Sequence, residues 1–274
     1  MAHQDDWELT TSGLWAKLRR RGVDFEGLVV TTTDGRSGHH RMRPAETARR
    51  RQAEARRAAA LLGCRAAFLR DNRGRAFWNG QLMCDTRTRG AVWKLIRDFR
   101  PDVVFCPPRS DRWRAGCHND HVVTADLVWS VAYQVQVPHA FPQYAYGTEL
   151  EPCEPPLIVA AYDSYLLGAG WDLAVDVTDV FEKKVDAIDC HRSQVYEWLP
   201  WVGKYQAPRN RRELAARMRE RHLDRNRAVG MKSRRLFEYF YLTSWGRAAT
   251  RADVAAFFPG CRVSPSARRA LQRP

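Results

Sequence analysis

The chain reads as an α/β protein, a mostly parallel sheet covered by helices on both faces. Two observations predict this. Short apolar strands alternate with amphipathic helices along the first hundred residues, the pattern of βαβ units. In addition, 102–106, Asp-Val-Val-Phe-Cys, is a nearly unbroken apolar run of the kind buried on both sides. With 274 residues, 45% of them hydrophobic, the chain can fill a sizeable core.

The elements follow in order. Over 12–22 the apolar residues Leu14, Trp15 and Leu18 recur at helical spacing, and Gly22 stands where a helix C-cap belongs. A strand at 25–31 contains Leu28-Val29-Val30 and gives way to the turn signal Thr33-Asp34-Gly35. The polar loop 36–43 carries Gly38-His39-His40, a histidine pair most simply read as solvated. Pro44 suits the first turn of a helix whose alanine-rich sequence runs to Leu61-Leu62 before Gly63 stops it. A short strand at 66–69 comes next. The helix at 86–99 then places Val92, Leu95, Ile96 and Phe99 on one face, closed by Arg100-Pro101. The strand 102–106 follows, and in parallel sheets the ligand crevice lies beyond the carboxyl ends of the strands.

Further strands are predicted at 157–161 and 171–177, and a helix at 180–190. After Gln206 the pattern weakens, and 209–227 reads as an arginine-studded surface helix with a thin apolar side, Leu214 and Met218. The organisation expected is therefore an α/β domain over 1–195 and a basic, mostly helical extension over 196–274, packed on or beside it.

Lysine and arginine number 45 against 31 acidic residues, a formal charge of +14. Such a charge informs about partners rather than fold, and a solvated arginine-rich surface accounts for it more simply than nucleic acid does. The seven cysteines are odd in number, scattered and without a CxxC pair, which argues against a disulfide framework or a cysteine-rich zinc knuckle. No apolar run approaches the ~20 residues of a membrane span. Asp5, Asp6 and Glu8 stand where a signal peptide would be basic and then apolar, so a cytoplasmic protein is expected.

Two clusters carry chemistry that a core does not need. One is Ala2-His3-Gln4-Asp5-Asp6-Trp7-Glu8; the other is His118-Asn119-Asp120-His121, which the strand 102–106 leads towards. A catalytic zinc site typically takes three protein ligands, imidazole nitrogen or carboxylate oxygen, and keeps a fourth position open. His3, Asp6 and His121 fill that quota. Asp5, His118 and Asp120 then stand beside them, able to move protons and orient ligands.

With those residues in view, the chain resembles the PIG-L/LmbE-like N-acetylglucosaminyl deacetylases. The first cluster is similar to that family's Ala-His-Pro-Asp-Asp signature followed by Glu, and the second to its His-Pro-Asp-His. Between them Thr33-Asp34-Gly35 resembles a family Thr-Asp-Gly, and Arg51-Gln52-Ala53-Glu54 its Arg-x-x-Glu. Lys184 and His191-Arg192-Ser193-Gln194 resemble a later Lys and His-x-Ser-Gln.

The resemblance implies a Rossmann-like doubly wound sheet and one zinc ion per chain held by His3, Asp6 and His121. It implies Asp5 as proton shuttle, His118 oriented by Asp120 as oxyanion stabiliser, and Arg51 and Asp34 as substrate contacts. The implied substrate is a small molecule or glycoconjugate carrying an N-acetylated amino sugar. Hydrolysis of another bond, such as a phosphoester, and nucleic-acid binding through 209–227 are the rival readings.

The departures are specific. Both prolines are replaced, by Gln4 and Asn119, and neither carries chemistry. The hydrophobic strand that precedes the first histidine in the family is reduced to Met1 and Ala2, so the first strand is expected to be missing or truncated. The family's glycine-rich stretch is here Leu9-Thr10-Thr11-Ser12-Gly13, and Gly116 stands where some members carry a tyrosine. Trp113, Tyr144, Tyr146 and Trp171 are the aromatic candidates for lining a sugar pocket.

Overall fold

The computed structural model describes residues 1–144, 153–168 and 170–271. In chain order it contains α1 (Asp6–Thr10), α2 (Ser12–Arg20), β1 (Leu28–Thr31), α3 (Pro44–Leu61), β2 (Arg65–Phe68), α4 (Thr86–Phe99), β3 (Val103–Cys106) and α5 (Asn119–Ala132). β4 (Leu157–Ala161), β5 (Leu173–Asp176) and α6 (Phe181–Asp189) follow. A π-helical stretch (Ser193–Trp198) then leads into α7 (Leu199–Gly203) and α8 (Arg211–Ala228). The chain closes with β6 (Phe237–Leu242), α9 (Arg251–Phe257), β7 (Arg262–Val263) and α10 (Pro265–Ala270).

Local signals account for the helix ends. Pro44 opens α3, its missing N–H costing nothing in the first turn. Asp85 and Thr88 close a capping box at the start of α4, and Arg100 ends that helix in the left-handed conformation.

The sheet corrects the expectation of a doubly wound, mostly parallel arrangement. Among the described residues there are two sheets: β1–β2, parallel, and a five-stranded sheet in the order β3-β4-β6-β5-β7. Only β3–β4 is parallel in the larger one; β6 runs antiparallel between β4 and β5, and β7 is antiparallel to β5. The α/β class holds, but the sheet is mixed. The physical reason is β6, Phe-Glu-Tyr-Phe-Tyr-Leu, drawn from the weakly patterned C-terminal region into the sheet's middle, where four of its six residues are buried.

The two sheets separate beside the N-terminus. The Met1 ammonium donates to Val30 O at 2.9 Å, Thr32 N–H donates to Met1 O at 2.9 Å, and Thr33 N–H to Ala2 O at 3.2 Å. Met1 and Ala2 thus extend along the end of β1 as the stub of a strand. The rest of the interval between β1 and β3 is an apolar groove of about 500 Å³, lined from one side by Leu28 and Val30 and from the other by Val103 and Phe105.

Glu238 of β6 ties the C-terminal region to the chain's beginning. Its carboxylate accepts the N–H groups of Gly13 (2.9 Å) and Leu14 (2.7 Å) at the N-terminus of α2, and the Nζ of Lys184 at 2.5 Å. A Cβ on residue 13 would stand 2.8 Å from both Glu238 Oε1 and Val177 Cγ1, so this close approach requires glycine.

The loop after β2 is organised by Asp71. Its Oδ1 accepts the amides of Arg73 (2.9 Å) and Arg75 (2.8 Å), and its Oδ2 accepts Arg75 Nε (2.8 Å) and Arg87 Nε (2.7 Å). Burial opposes ionisation, but these donors hold the carboxyl well below its ordinary 3.8. A depressed folded pKa adds stability that is fully present above the unfolded value and is lost as pH falls through the folded one. Because both arginines are about half-exposed, Asp71→Asn should cost about 1–2 kcal/mol at neutral pH. The wild-type–variant difference should shrink below about pH 4, which urea titrations at pH 7 and pH 3 would measure. A difference independent of pH contradicts this role.

Candidate functional site

The site forms where the N-terminus of α1 faces the N-terminus of α5. Asp5 is the N-cap of α1 with φ 131°, outside the range a non-glycine residue favours, so backbone strain is concentrated beside the site's carboxylates. His118 is the N-cap of α5, its Nδ1 accepting the Asp120 amide at 3.2 Å. Together the two helix starts bring all six residues of the sequence clusters into one place.

His3, Asp6 and His121 offer ligand atoms that lie within 4.8 Å of one another, as do those of the overlapping group His3, His118 and Asp120. Carboxylates orient both imidazoles of the first group. Asp120 Oδ2 holds His3 Nε2 at 2.9 Å, leaving Nδ1 on the side of Asp6, 3.7 Å from its Oδ2. Asp163 Oδ2 holds His121 Nδ1 at 2.7 Å, leaving Nε2 at 3.5 Å from Asp6 Oδ1. One nitrogen fixed by a carboxylate and the other turned inward is how metal-binding histidines are commonly oriented. The donor set therefore fits a divalent, zinc-type ion at His3, Asp6 and His121.

The electrostatics follow burial. Burial pushes the Asp5 carboxyl up to about 7, with Arg51 pulling it down and Asp6 pushing it further up. Asp6 moves the other way: burial raises it, but His121 and His3 outweigh that and hold it low. Burial lowers His3. It also works to lower His121, yet Asp6 and Asp163 bring that imidazole up to about 9. Two adjacent carboxyls thus sit in opposite protonation regimes, a pattern found where acid–base work is divided between neighbours.

Asp120 contacts both histidines, His3 at 2.9 Å and His118 at 3.3 Å, and also accepts the Gly80 amide at 2.8 Å. The loop ordered by Asp71 is thereby attached to the site. His118 is 43% exposed in its side chain against 11–14% for His3, Asp6 and His121, so it stands at the mouth.

The two residues expected as substrate contacts are engaged within the protein. Arg51 is buried; its Nη2 donates to Gln4 O (2.9 Å) and lies 3.4 Å from Asp5 Oδ1, and its Nη1 donates to Gly35 O (3.3 Å). Asp34 is buried and accepts the Arg36 amide (3.2 Å) and Arg36 Nε (2.5 Å), an Asx-type turn. Of the later signature, His191 Nε2 lies 2.8 Å from Glu8 Oε1, Ser193 binds Glu54, and Gln194 Nε2 donates to Gly38 O at 3.1 Å. These contacts brace the layer beneath Asp5.

The aromatic candidates divide. Tyr144 donates its hydroxyl to Arg87 O at 2.6 Å, Trp113 donates to Ser110 O at 2.8 Å, and Trp171 packs on Tyr239. Tyr146 lies outside the described residues. A tyrosine does stand near Gly116: the Tyr165 ring comes within 3.7 Å of where a Cβ on residue 116 would be. Asp163 and Tyr165 were not singled out from sequence, although both follow the carboxyl end of β4, the position at which α/β sheets gather functional groups.

The profile of the PIG-L family, GlcNAc-PI de-N-acetylase, matches residues 1–132. These residues are a PIG-L family domain. The PIG-L domain contributes every member of the two histidine clusters, while Asp163 and Tyr165 come from beyond it. The chain is 29% identical over 209 residues to the diacetylchitobiose deacetylase of Thermococcus kodakarensis, covering 73% of this chain and 70% of that one. Among solved structures it is similar to N,N'-diacetylchitobiose deacetylase from Pyrococcus horikoshii, determined with an inhibitor (TM-score 0.65, 26% identity, 88% of this chain and 80% of that one). It also shares its fold with GalB, the 4-carboxy-2-hydroxymuconate hydratase of Pseudomonas putida (TM-score 0.58, 20% identity, 91% and 95% covered). A hydratase on the same scaffold is a reminder that chemistry is argued from the site. Among the described residues no helix is long and apolar enough to cross a membrane.

Proposed function

We propose that this chain removes the acetyl group from the nitrogen of an N-acetylated amino sugar, free or in a glycoconjugate, using one zinc-type ion held by His3, Asp6 and His121. The observation that carries this reading is the convergence of two carboxylate-oriented imidazoles on Asp6, with a second, protonatable carboxyl next to it. The deacetylase relatives support the choice of an amide as the bond. When bound there, such an ion polarises a carbonyl and makes water acidic near neutral pH.

The chain's own groups supply the rest. Asp5, raised to about 7 by burial, is matched to accept a proton from water and return it to the departing amine. Arg51, fixed by Gln4 O and Gly35 O, positions that carboxyl. His118 Nδ1 is held between the Asp120 amide and carboxylate, which leaves Nε2 as the nitrogen that can face a developing oxyanion. The ring of Tyr165 stands beside Gly116.

Acetate release from N,N'-diacetylchitobiose tests the reading. Chelator should abolish it, zinc should restore it, and His121→Ala should lose both activity and stoichiometric metal. Turnover that survives metal removal overturns the proposal.

A further inference from the structure

Of the seven arginines of α8, two are paired with carboxylates; among the described residues Arg212 and Arg219 are not, and Arg219 lies over the Phe181 ring. Arg211 is paired with Glu182 and Asp186, and Arg227 with Glu220 and Asp224; just before the helix, Arg209 is paired with Glu213. Arg217, Arg221 and Arg225 are different. They follow one another at four-residue spacing and so share one stripe of the helix, and among the described residues none of the three forms a salt bridge.

Arg225 is buried, 4% exposed. Its Nη1 donates to Leu9 O at 2.8 Å, whereas Nε and Nη2 are buried without partners, as is Nε of Arg221. A buried guanidinium without a counter-charge is costly, and such sites are normally completed by an anion.

The stripe borders the site already described. Arg225 lies over the Tyr162 ring at 5.7 Å, one residue before the Asp163 that holds His121. At the other end Arg217 lies over the half-exposed Tyr205 ring at 5.5 Å. Tyr205 in turn is within electrostatic range of Arg217, Arg221, Tyr165 and Asp5. Burial and Arg221 together lower Arg225 to about 9, still cationic at neutral pH. Glu238 and Asp163 act on Arg225 from a distance, but three cations with no carboxylate in direct contact suit a group bearing more than one negative charge.

The geometry points to a phosphate subsite formed by Arg217, Arg221 and Arg225, which receives a phosphate carried by the substrate next to its N-acetyl sugar. This rests on the deacetylase reading for the identity of the sugar, but the anion site stands on its own contacts.

Orthophosphate is the probe, with sodium chloride at equal ionic strength as reference and sodium malonate as the dicarboxylate comparison. We expect phosphate to raise the unfolding temperature of the wild type, Arg221→Gln and Arg217→Gln to lose most of that shift, and the control Arg209→Gln to keep it. The two subsite positions are half-exposed, so the variants are checked for folding by their unfolding temperature without phosphate. In turnover, the better of N-acetylglucosamine 1-phosphate and 6-phosphate should exceed methyl N-acetylglucosaminide in kcat/KM by tenfold or more, and Arg221→Gln should reduce that ratio at least tenfold. Equal phosphate shifts in wild type and Arg221→Gln overturn the subsite, and a larger shift with malonate overturns the phosphate assignment. Loss of protection in Arg221→Gln without hydrolysis of any N-acetyl sugar upholds the subsite and removes the deacetylase reading instead.

Discussion

Asp5→Asn is expected to lower kcat for N-acetyl hydrolysis by about 10²–10⁴-fold, the usual contribution of a positioned acid–base group. Metal content should stay near that of the wild type, because the residues that fit the ion are His3, Asp6 and His121. The substitution is well suited to the position. Asp5 holds a φ of 131°, and asparagine is among the residues most tolerant of positive φ, so the backbone should survive while the carboxyl is lost. Measuring kcat together with metal stoichiometry separates proton transfer from ligand loss. Wild-type turnover in Asp5→Asn would remove this carboxyl from the mechanism. Arg51→Lys probes the same group indirectly: it should keep the positive charge but lose the two-sided grip on Gln4 O and Gly35 O.

The second large effect is expected on stability. Glu238→Ala should cost about 3–5 kcal/mol, the range for breaking a buried ion pair from one side. It leaves Lys184 buried and uncompensated and deprives Gly13 and Leu14 of their acceptor at the start of α2. Lys184 is already lowered to about 8 by burial against the opposing pull of Glu238, so its charge has little other support. Replacing both partners, Lys184→Met with Glu238→Gln, should recover part of the loss, because no unpaired charge then remains inside. Denaturant midpoints for the wild type and these two variants measure this directly. A double variant no better than Glu238→Ala would locate the cost in helix capping rather than in the ion pair.

The site was more legible in the sequence than the sheet. His3, Asp6, His118, Asp120 and His121 lie in two short motifs, each set on one helix start, so local spacing nearly determines their geometry. Asp163 was missed because it reaches His121 across 42 residues of chain, and no local pattern distinguishes it from any acidic residue after a strand. Arg51 and Asp34 were found, but not what they touch. Their buried contacts with Gln4, Gly35 and Arg36 depend on how loops fold over one another.

For the fold, β1, β2, β3, β4 and β5 were all anticipated near their observed places, since short apolar runs between helices are local signals. β6 was not. Its pairing with β4 and β5 joins residues 61–83 positions apart, and antiparallel insertion of a late strand leaves no trace in the alternation of earlier ones. Helix α8 was expected on the surface, yet its inner side buries His222, Arg225 and Asn226. A polar inner face is invisible to an argument from apolar periodicity.

The Met1 ammonium carries a practical consequence for handling the protein. It is buried, pushed below its ordinary value of 8.0 by that burial, and bonded to Val30 O. Residues fused ahead of Met1 would begin at the apolar groove that Met1 itself lines together with Val30 and Val103. A polar histidine tag placed there would force charged or hydrated side chains into an apolar interval between two strands. A handle ahead of Met1 would thus press on the two residues, Met1 and Ala2, whose bonds to Val30, Thr32 and Thr33 lead the chain into His3 and Asp6.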